Sequence, residues 1–393
     1  MQIHYDFDQI IDRRNSDSLK WNYYDEDVIP MWVADMDFVS PQPVIDALKE
    51  QVEHGVFGYP QGTIELPSEL PGFRRLIIER LARLYNWEVR PQDIIFLPGV
   101  VKGFNLACHA LASPDQAVLV QTPVYHPILD AAKTTGIQGR EMELTRLQDG
   151  CYGVGWDAFE ASLSPQTRLF LLCNPHNPVG KVFHKDELTH MAEICLRHGV
   201  VICSDEIHSD LVFSEHQHTP IASLDPEIAD HTITLIAPSK TYNIAGLQCS
   251  FAVIQNEELR KRFLDARKGL VPWVNMMGMK AGEIAYRHGQ EWLEQVMDYL
   301  QANRDFLYAY VRKEIPELVM GLPEGTYLAW LDCRQAGIQG NPQKFFLEKG
   351  RVAFNDGADF GPGGEGFVRL NFACSRVTLK EGLDRVIKAL EQR

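Results

Sequence analysis

No stretch of the chain approaches the uninterrupted apolar length that a membrane-crossing helix needs. Runs such as Leu169–Cys173 and Gly199–Cys203 fall far short of the roughly 18 residues required, so a spanning segment is not expected. Positive charge is scarce as well: 38 Lys and Arg stand against 53 Asp and Glu, for a net charge of −15. The densest basic cluster, around Arg74–Arg83, does not offset that balance, which disfavours phosphate backbones and anionic lipid as partners. None of the 8 cysteines falls in a C-x-x-C pair, and several lie in apolar runs, so reduced and mostly buried thiols are expected. Internal repeats and low-complexity segments are lacking. Met1–Asp12 carries His and Asp where a secretory leader would be basic and then apolar. It reads as the uncleaved terminus of a cytoplasmic protein.

What is present is an ordinary globular composition, with 45% hydrophobic residues over 393 positions, enough for two or three packed units. Between about residues 90 and 255 short β-rich runs alternate with helical patterns: Asp93–Leu97, Ala117–Gln121, Gln138–Leu144, Leu169–Cys173, Val200–Ser204, Thr232–Ile236 and Ser250–Ile254. Such alternation predicts an α/β fold with a largely parallel sheet covered on both faces. Before Val200, the residues Leu188, Met191, Ala192, Cys195 and Leu196 make one apolar helix face, and Gly199 supplies a stop. Later come long helical patterns at Glu257–Arg267 and Met276–Lys313, then strand candidates Thr326–Asp332, Arg351–Asn355 and Phe367–Phe372, with helices near Pro342–Lys349 and Leu379–Gln392. The expected division is an arm over residues 1–45, a large unit over 46–284 and a small α+β unit over 285–393.

Ligands of open α/β sheets gather at the carboxyl ends of the strands, so the polar residues just past each run are the first candidates. Pro98-Gly99-Val100-Val101 opens a helix whose N–H groups could hold a phosphate. Tyr125 follows the next run and could stack on a planar ligand. Asn174-Pro175-His176-Asn177-Pro178-Val179-Gly180 is a proline-stiffened turn that aims Asn174 inward. Asp205 ends a buried strand, where a carboxylate needs a cation. Ser239-Lys240 follows another, and a desolvated lysine can attack a carbonyl to form a Schiff base. Arg369 sits in an apolar strand and suits a carboxylate through paired hydrogen bonds. A structural ion pair or ordinary core packing accounts for each of these equally well when taken singly. Gly361–Gly366 matches G-x-G-x-x-G but precedes a strand-like run, so it reads as a flexible loop and not a dinucleotide site. His208, Asp210, His216 and His218 offer a competing metal-hydrolase reading, which leaves Tyr125, Asn174, Lys240 and Arg369 without a role.

The ordered set Tyr125, Asn174 to Gly180, Asp205, Ser239-Lys240 and Arg369 resembles the fold type I pyridoxal-phosphate enzymes of the class I/II aminotransferase superfamily. Within it, Trp32-Val33-Ala34-Asp35-Met36-Asp37-Phe38, Phe57-Gly58-Tyr59-Pro60, Thr122-Pro123-Val124-Tyr125 and Ser239-Lys240-Thr241-Tyr242-Asn243-Ile244-Ala245-Gly246-Leu247 look like the MalY/PatB-type, cystathionine β-lyase-like C–S lyases. The resemblance implies a large domain with a seven-stranded, mostly parallel sheet, a smaller α+β domain, and pyridoxal 5′-phosphate as cofactor, with no metal. It implies a cytoplasmic homodimer with its site at the interface and a small amino-acid substrate, with neither nucleic acid nor membrane as partner. Lys240 would carry the cofactor and act as the base, Asp205 would pair with its ring nitrogen, Asn174 would bind its ring oxygen and Tyr125 would stack on the ring. Val100, Val101, Ser239 and a tyrosine matched by Tyr59 would hold the phosphate, with His208 among the cofactor contacts. Arg369 would clamp the substrate carboxylate, with Asn174, Ala34 and Tyr59 nearby. The implied reaction is α,β-elimination of L-cystathionine or a related cysteine S-conjugate to a thiol such as homocysteine, pyruvate and ammonia. The alternatives are an aminotransferase and, more distantly, a metal-dependent hydrolase or a regulatory binding protein. Many aminotransferases carry Arg and Ser where this chain has Gln248 and Ala237.

Overall fold

The computed structural model describes residues 3–59 and 72–393. Pro60, part of one quoted motif, lies outside them. Seven strands, β1 Ile94–Leu97, β2 Ala117–Thr122, β3 Gln138–Glu143, β4 Thr167–Cys173, β5 Val201–Asp205, β6 Thr232–Ile236 and β7 Ser250–Val253, form one sheet in the order β1-β7-β6-β5-β4-β2-β3. Strand β7 is antiparallel to both β1 and β6. The four other pairings are parallel, so every strand except β7 runs the same way. Five strand ends, those of β1, β2, β4, β5 and β6, therefore open on one edge carrying the candidate residues.

Side-chain alternation explains the two-sided covering. In β4, Leu169, Leu171 and Cys173 join a core with Phe104 and Phe263, while Phe170 and Leu172 join a core with Leu188 and Met191. Those partners come from helices laid on opposite faces: α3 Val100–Leu111 and α5 Glu257–Arg267 on one, α4 Lys185–Arg197 on the other. Two further helices, α1 Gln42–His54 and α2 Gly72–Tyr85, precede the sheet. In α4 the residues Leu188, Met191, Ala192 and Cys195 are buried as the period predicts, Ile194 is buried too, and Leu196 is only half-buried. Gly199 follows with φ of 64°, the left-handed stop that glycine adopts without a Cβ clash.

The pattern over Met276–Lys313 is not one helix. It divides into α6 Met276–His288 and α7 Gln290–Glu314 at Gly289. A Cβ on Gly289 would lie 2.5 Å from the Ala285 carbonyl and 2.6 Å from the Tyr242 ring, so glycine lets the junction seat against Tyr242. Beyond α7, strands β8 Leu328–Asp332, β9 Asn355–Asp356 and β10 Phe367–Asn371 form an antiparallel sheet in the order β8-β10-β9, covered by α8 Arg376–Leu390. The predicted strand over Arg351–Asn355 is two. Val352–Ala353 pairs in parallel with Ile29–Pro30 of the arm, whereas β9 turns to pair with β10. The arm also buries Phe7 and Phe38 against Trp292 of α7.

Gly361–Gly366 is a packed turn, not the flexible loop its composition suggested. Gly361 has φ of 85°, and a Cβ there would meet Leu129 at 2.9 Å, so both backbone and packing require glycine. No helix of the described residues is long and apolar enough to cross a membrane. All eight cysteines are free, and only Cys151 among them is not buried.

Candidate active site

The strand ends converge on Lys240. It lies on the one-turn helix Pro238–Thr241 that follows β6, and its amine donates to the Ala34 carbonyl at 2.7 Å. Burial pulls its pKa down to about 8, with Arg369 pulling the same way and Asp35 and Asp205 opposing. Asp205 closes β5 and is 6% exposed. Burial raises its carboxyl to about 7, against the lowering effect of the Ile207 N–H. Both groups are thus poorly solvated, and each is charged more readily when a counter-charge arrives.

Asn174 is held as a positioned donor. Its N–H donates to the Asp205 carbonyl at 2.9 Å, its Oδ1 accepts from Phe183 N–H at 3.1 Å, and its Nδ2 is buried with no partner among the described residues. Among the other buried side-chain atoms without a partner are His208 Nδ1 and Arg369 Nε. Unpaired buried polar atoms are costly and uncommon. His208 feels both Lys240 and Arg369, its pKa lowered to about 3 chiefly by burial.

Arg369 in β10 reaches the site from the C-terminal sheet. Its guanidinium donates to Asn177 Oδ1 at 3.0 Å, to the Trp32 carbonyl at 2.8 Å and to Asn355 Oδ1 at 2.6 Å. All three acceptors are neutral, so the cation is oriented but not neutralised, and burial lowers its pKa to about 10. Tyr125 sits beside it with its N–H on the Asn177 carbonyl at 3.0 Å; burial raises the phenol's pKa, which Arg369 opposes.

The remaining expected residues take mixed positions. Val100 and Val101 begin α3 behind Gly99, whose φ is 115°, and Ser239 is buried beside Lys240. Tyr59 is 93% exposed in the single chain. The competing metal set is not assembled: His218 pairs with Glu206 at 2.9 Å, Asp210 binds Arg80 and Thr241, and His208 faces Tyr327 with ring centroids 5.9 Å apart. A cavity of about 1160 Å³ lies elsewhere, lined by Phe96, Leu264 and Trp273 among others, and holds none of the expected site residues.

Several residues of the site escaped sequence reasoning. Asn371 Nδ2 donates to the Val33 and Asp35 carbonyls at 2.6 and 2.7 Å, Asn243 Nδ2 to those of Met36 and Phe38, and Tyr327 Oη to that of Ala34 at 2.8 Å. With Lys240 and Arg369, these side chains satisfy the carbonyls of Trp32, Val33, Ala34, Asp35, Met36 and Phe38 in place of a strand ladder. Asn371 was legible, since it lies two positions after Arg369 and shares its strand face. Lys102 was also missed. Its amine, on the first turn of α3, donates to the Pro98 carbonyl at 2.9 Å and to Gln248 Oε1 at 3.2 Å.

Known proteins share this chain's sequence and fold. Residues 26–386 match the family model "Aminotransferase class I and II". The chain is 39% identical to cystathionine beta-lyase PatB of Bacillus subtilis (strain 168), covering 98% of this chain and 99% of that one. It is 31% identical to protein MalY of Escherichia coli (strain K12), over 98% and 99% respectively. Among solved structures, cystalysin from Treponema denticola, which contains a pyridoxal 5′-phosphate cofactor, superposes with a TM-score of 0.93 at 34% identity, covering 99% of this chain and 100% of that one. The chain belongs to the class I and II aminotransferase family, in its MalY/PatB-type branch.

Proposed function

We propose that the protein is a pyridoxal-phosphate-dependent C–S β-lyase that cleaves L-cystathionine or a related cysteine S-conjugate to a thiol, pyruvate and ammonia. The observation that carries this reading is the set of buried, unpartnered atoms around Lys240 and Asp205: Asn174 Nδ2, His208 Nδ1 and Arg369 Nε. They match a planar, anionic, oxygen-bearing ligand together with an amino-acid carboxylate, and so fit the cofactor.

When bound, the cofactor supplies the electron sink that makes an amino acid's Cα proton removable. Asp205 would hold a cationic ring nitrogen, an ion pair that brings its carboxyl down from about 7 and keeps that nitrogen protonated. Asn174 Nδ2 would donate to the ring oxygen. Arg369 would bind the substrate carboxylate through the guanidinium edge bearing Nε, with the Asn177, Trp32 and Asn355 contacts fixing its plane beforehand. Lys240 Nζ, whose pKa burial brings down to about 8, would take the proton from Cα; the Ala34 carbonyl is its resting acceptor. The lysine ammonium would then give that proton to the sulfur as the Cβ–S bond breaks, so that a thiol leaves.

At the phosphate end, Val100 and Val101 N–H groups at the start of α3 and the Ser239 hydroxyl would receive oxygens. Gln248 carries no charge there, and Lys102, tied to Gln248 and Pro98, would supply the cation. A homodimer would bring Tyr59 of one chain to the site of the other, a role supported by its exposure in the single chain. The free thiols suit a reducing, cytoplasmic setting.

The test is release of pyruvate and thiol from L-cystathionine by the cofactor-loaded protein with no oxo acid added. Matched release of both is the expected result. Amino transfer on adding an oxo acid, without release, would overturn the lyase reading in favour of transamination.

A further inference from the structure

We infer that the chain carries a divalent-metal site built from residues other than the catalytic ones, namely His184, His216 and Glu324. One ligating atom from each of the three lies within 4.8 Å of the others. Two imidazoles and a carboxylate are the donor set of zinc sites with open positions and of related first-row metals. Bond lengths of about 2.0–2.2 Å to such donors need only small side-chain rotations from this spacing.

The donors come from three separate segments. His184 stands just before α4, His216 follows β5 in a turn closed by its own N–H on the Phe213 carbonyl at 2.9 Å, and Glu324 precedes β8. Backbone bonds already lock the segments together: Glu324 N–H to the Gly180 carbonyl at 2.8 Å, and Phe213 N–H to the Glu324 carbonyl at 3.0 Å. Glu324 Oε2 accepts from Val182 N–H at 2.8 Å, which orients the carboxylate as a hydrogen bond behind a metal ligand does.

A second observation also points to a ligand. His216 Nδ1 is shielded from solvent and makes no hydrogen bond among the described residues, and the His184 ring lies 6.3 Å from the His216 ring, centroid to centroid. The neighbouring charges do not compete for these donors: Glu215 pairs with Arg304 and Lys181 with Glu187. A bound ion would complete its coordination with water and staple the loop Asn174–Val182, which carries Asn174 and Asn177, to the segment entering the C-terminal sheet.

The test is calorimetric titration of the tag-free, chelator-treated holoenzyme with Zn²⁺, and with Co²⁺ read by its visible d–d absorption. The expected result is one site per chain, with His184→Ala, His216→Ala and Glu324→Gln each weakening it by about tenfold or more. Cys151→Ser, which removes the one thiol that is not buried, should leave it unchanged. His184 is exposed, so its variant tests the site without threatening the fold. No one-site binding, a Co²⁺ spectrum of thiolate character, or affinity unchanged in His184→Ala would overturn the inference. None of these readouts depends on turnover, so the lyase reading stands or falls separately.

Discussion

Asp205→Asn should stabilise the cofactor-free protein while weakening its hold on the cofactor. The Asp205 carboxyl is buried, and burial raises its pKa from 3.8 to about 7. Between those values the folded chain keeps a proton that the unfolded chain has released, so stability is full below pH 4 and falls as pH rises to about 7. At about 1.4 kcal/mol per pH unit, the loss over that window is on the order of 4 kcal/mol. Lys240, lowered from 10.5 to about 8, acts in a separate window: there the unfolded chain binds more protons, so stability rises with pH from about 8. Asparagine does not titrate. The stability of Asp205→Asn relative to the parent should therefore climb by roughly the same ~4 kcal/mol between pH 4 and pH 7.5. Urea midpoints of both cofactor-free proteins, at one protein concentration across pH, measure the difference. Parallel curves would refute the reasoning, because they would mean that the carboxyl ionises in the folded chain as it does in water. Loading both proteins should reverse the order, since a cationic ring nitrogen stabilises the carboxylate and gains nothing from the amide.

Lys240→Ala should abolish turnover and the cofactor-linked visible absorbance together; residual turnover near the parent rate would remove Lys240 from the mechanism. Arg369→Ala should raise KM with a smaller effect on kcat, by a factor corresponding to about 1.5–3 kcal/mol for a charge-assisted hydrogen bond, and steady-state kinetics would show an unchanged KM if the carboxylate binds elsewhere. Lys102→Met should weaken cofactor retention about tenfold in equilibrium dialysis, and adding Gln248→Arg to that variant should restore it; no loss, or no rescue, would count against a shared phosphate role. Asn243→Ala removes three hydrogen bonds to Met36 and Phe38 at a residue with φ of 55°, so it should lower stability by about 2–4 kcal/mol, detectable as a lower urea midpoint.

The functional edge of the sheet is legible in the amino-acid sequence. Parallel strands share their carboxyl ends, so locating the apolar runs is enough to place Tyr125, Asn174, Asp205 and Lys240 on one edge, and Arg369 declares itself as a charge inside an apolar strand. Local patterns fail where a segment's partner is distant in the chain. Met276–Lys313 keeps a helical period across Gly289, and only the approach of Tyr242 to that glycine explains the break. Arg351–Asn355 has the composition of one strand, yet the arm takes Val352–Ala353 and β10 takes β9.

The chain by itself determined the α/β sheet and the order of its chemical groups, because periodicity and strand ends are local properties that survive without knowledge of contacts. Tertiary structure decided how the arm is held. Its carbonyls are satisfied by Lys240, Asn243, Tyr327, Arg369 and Asn371 across more than 200 residues, and side-chain bonds to irregular backbone leave no period to read. Tertiary structure likewise separated His216 from His218, sending one to Glu206 and the other toward His184 and Glu324. Two residues adjacent but one in the chain thus meet different neighbours, because the segment after the Phe213–His216 turn is not a strand and the partners come from distant parts of the chain.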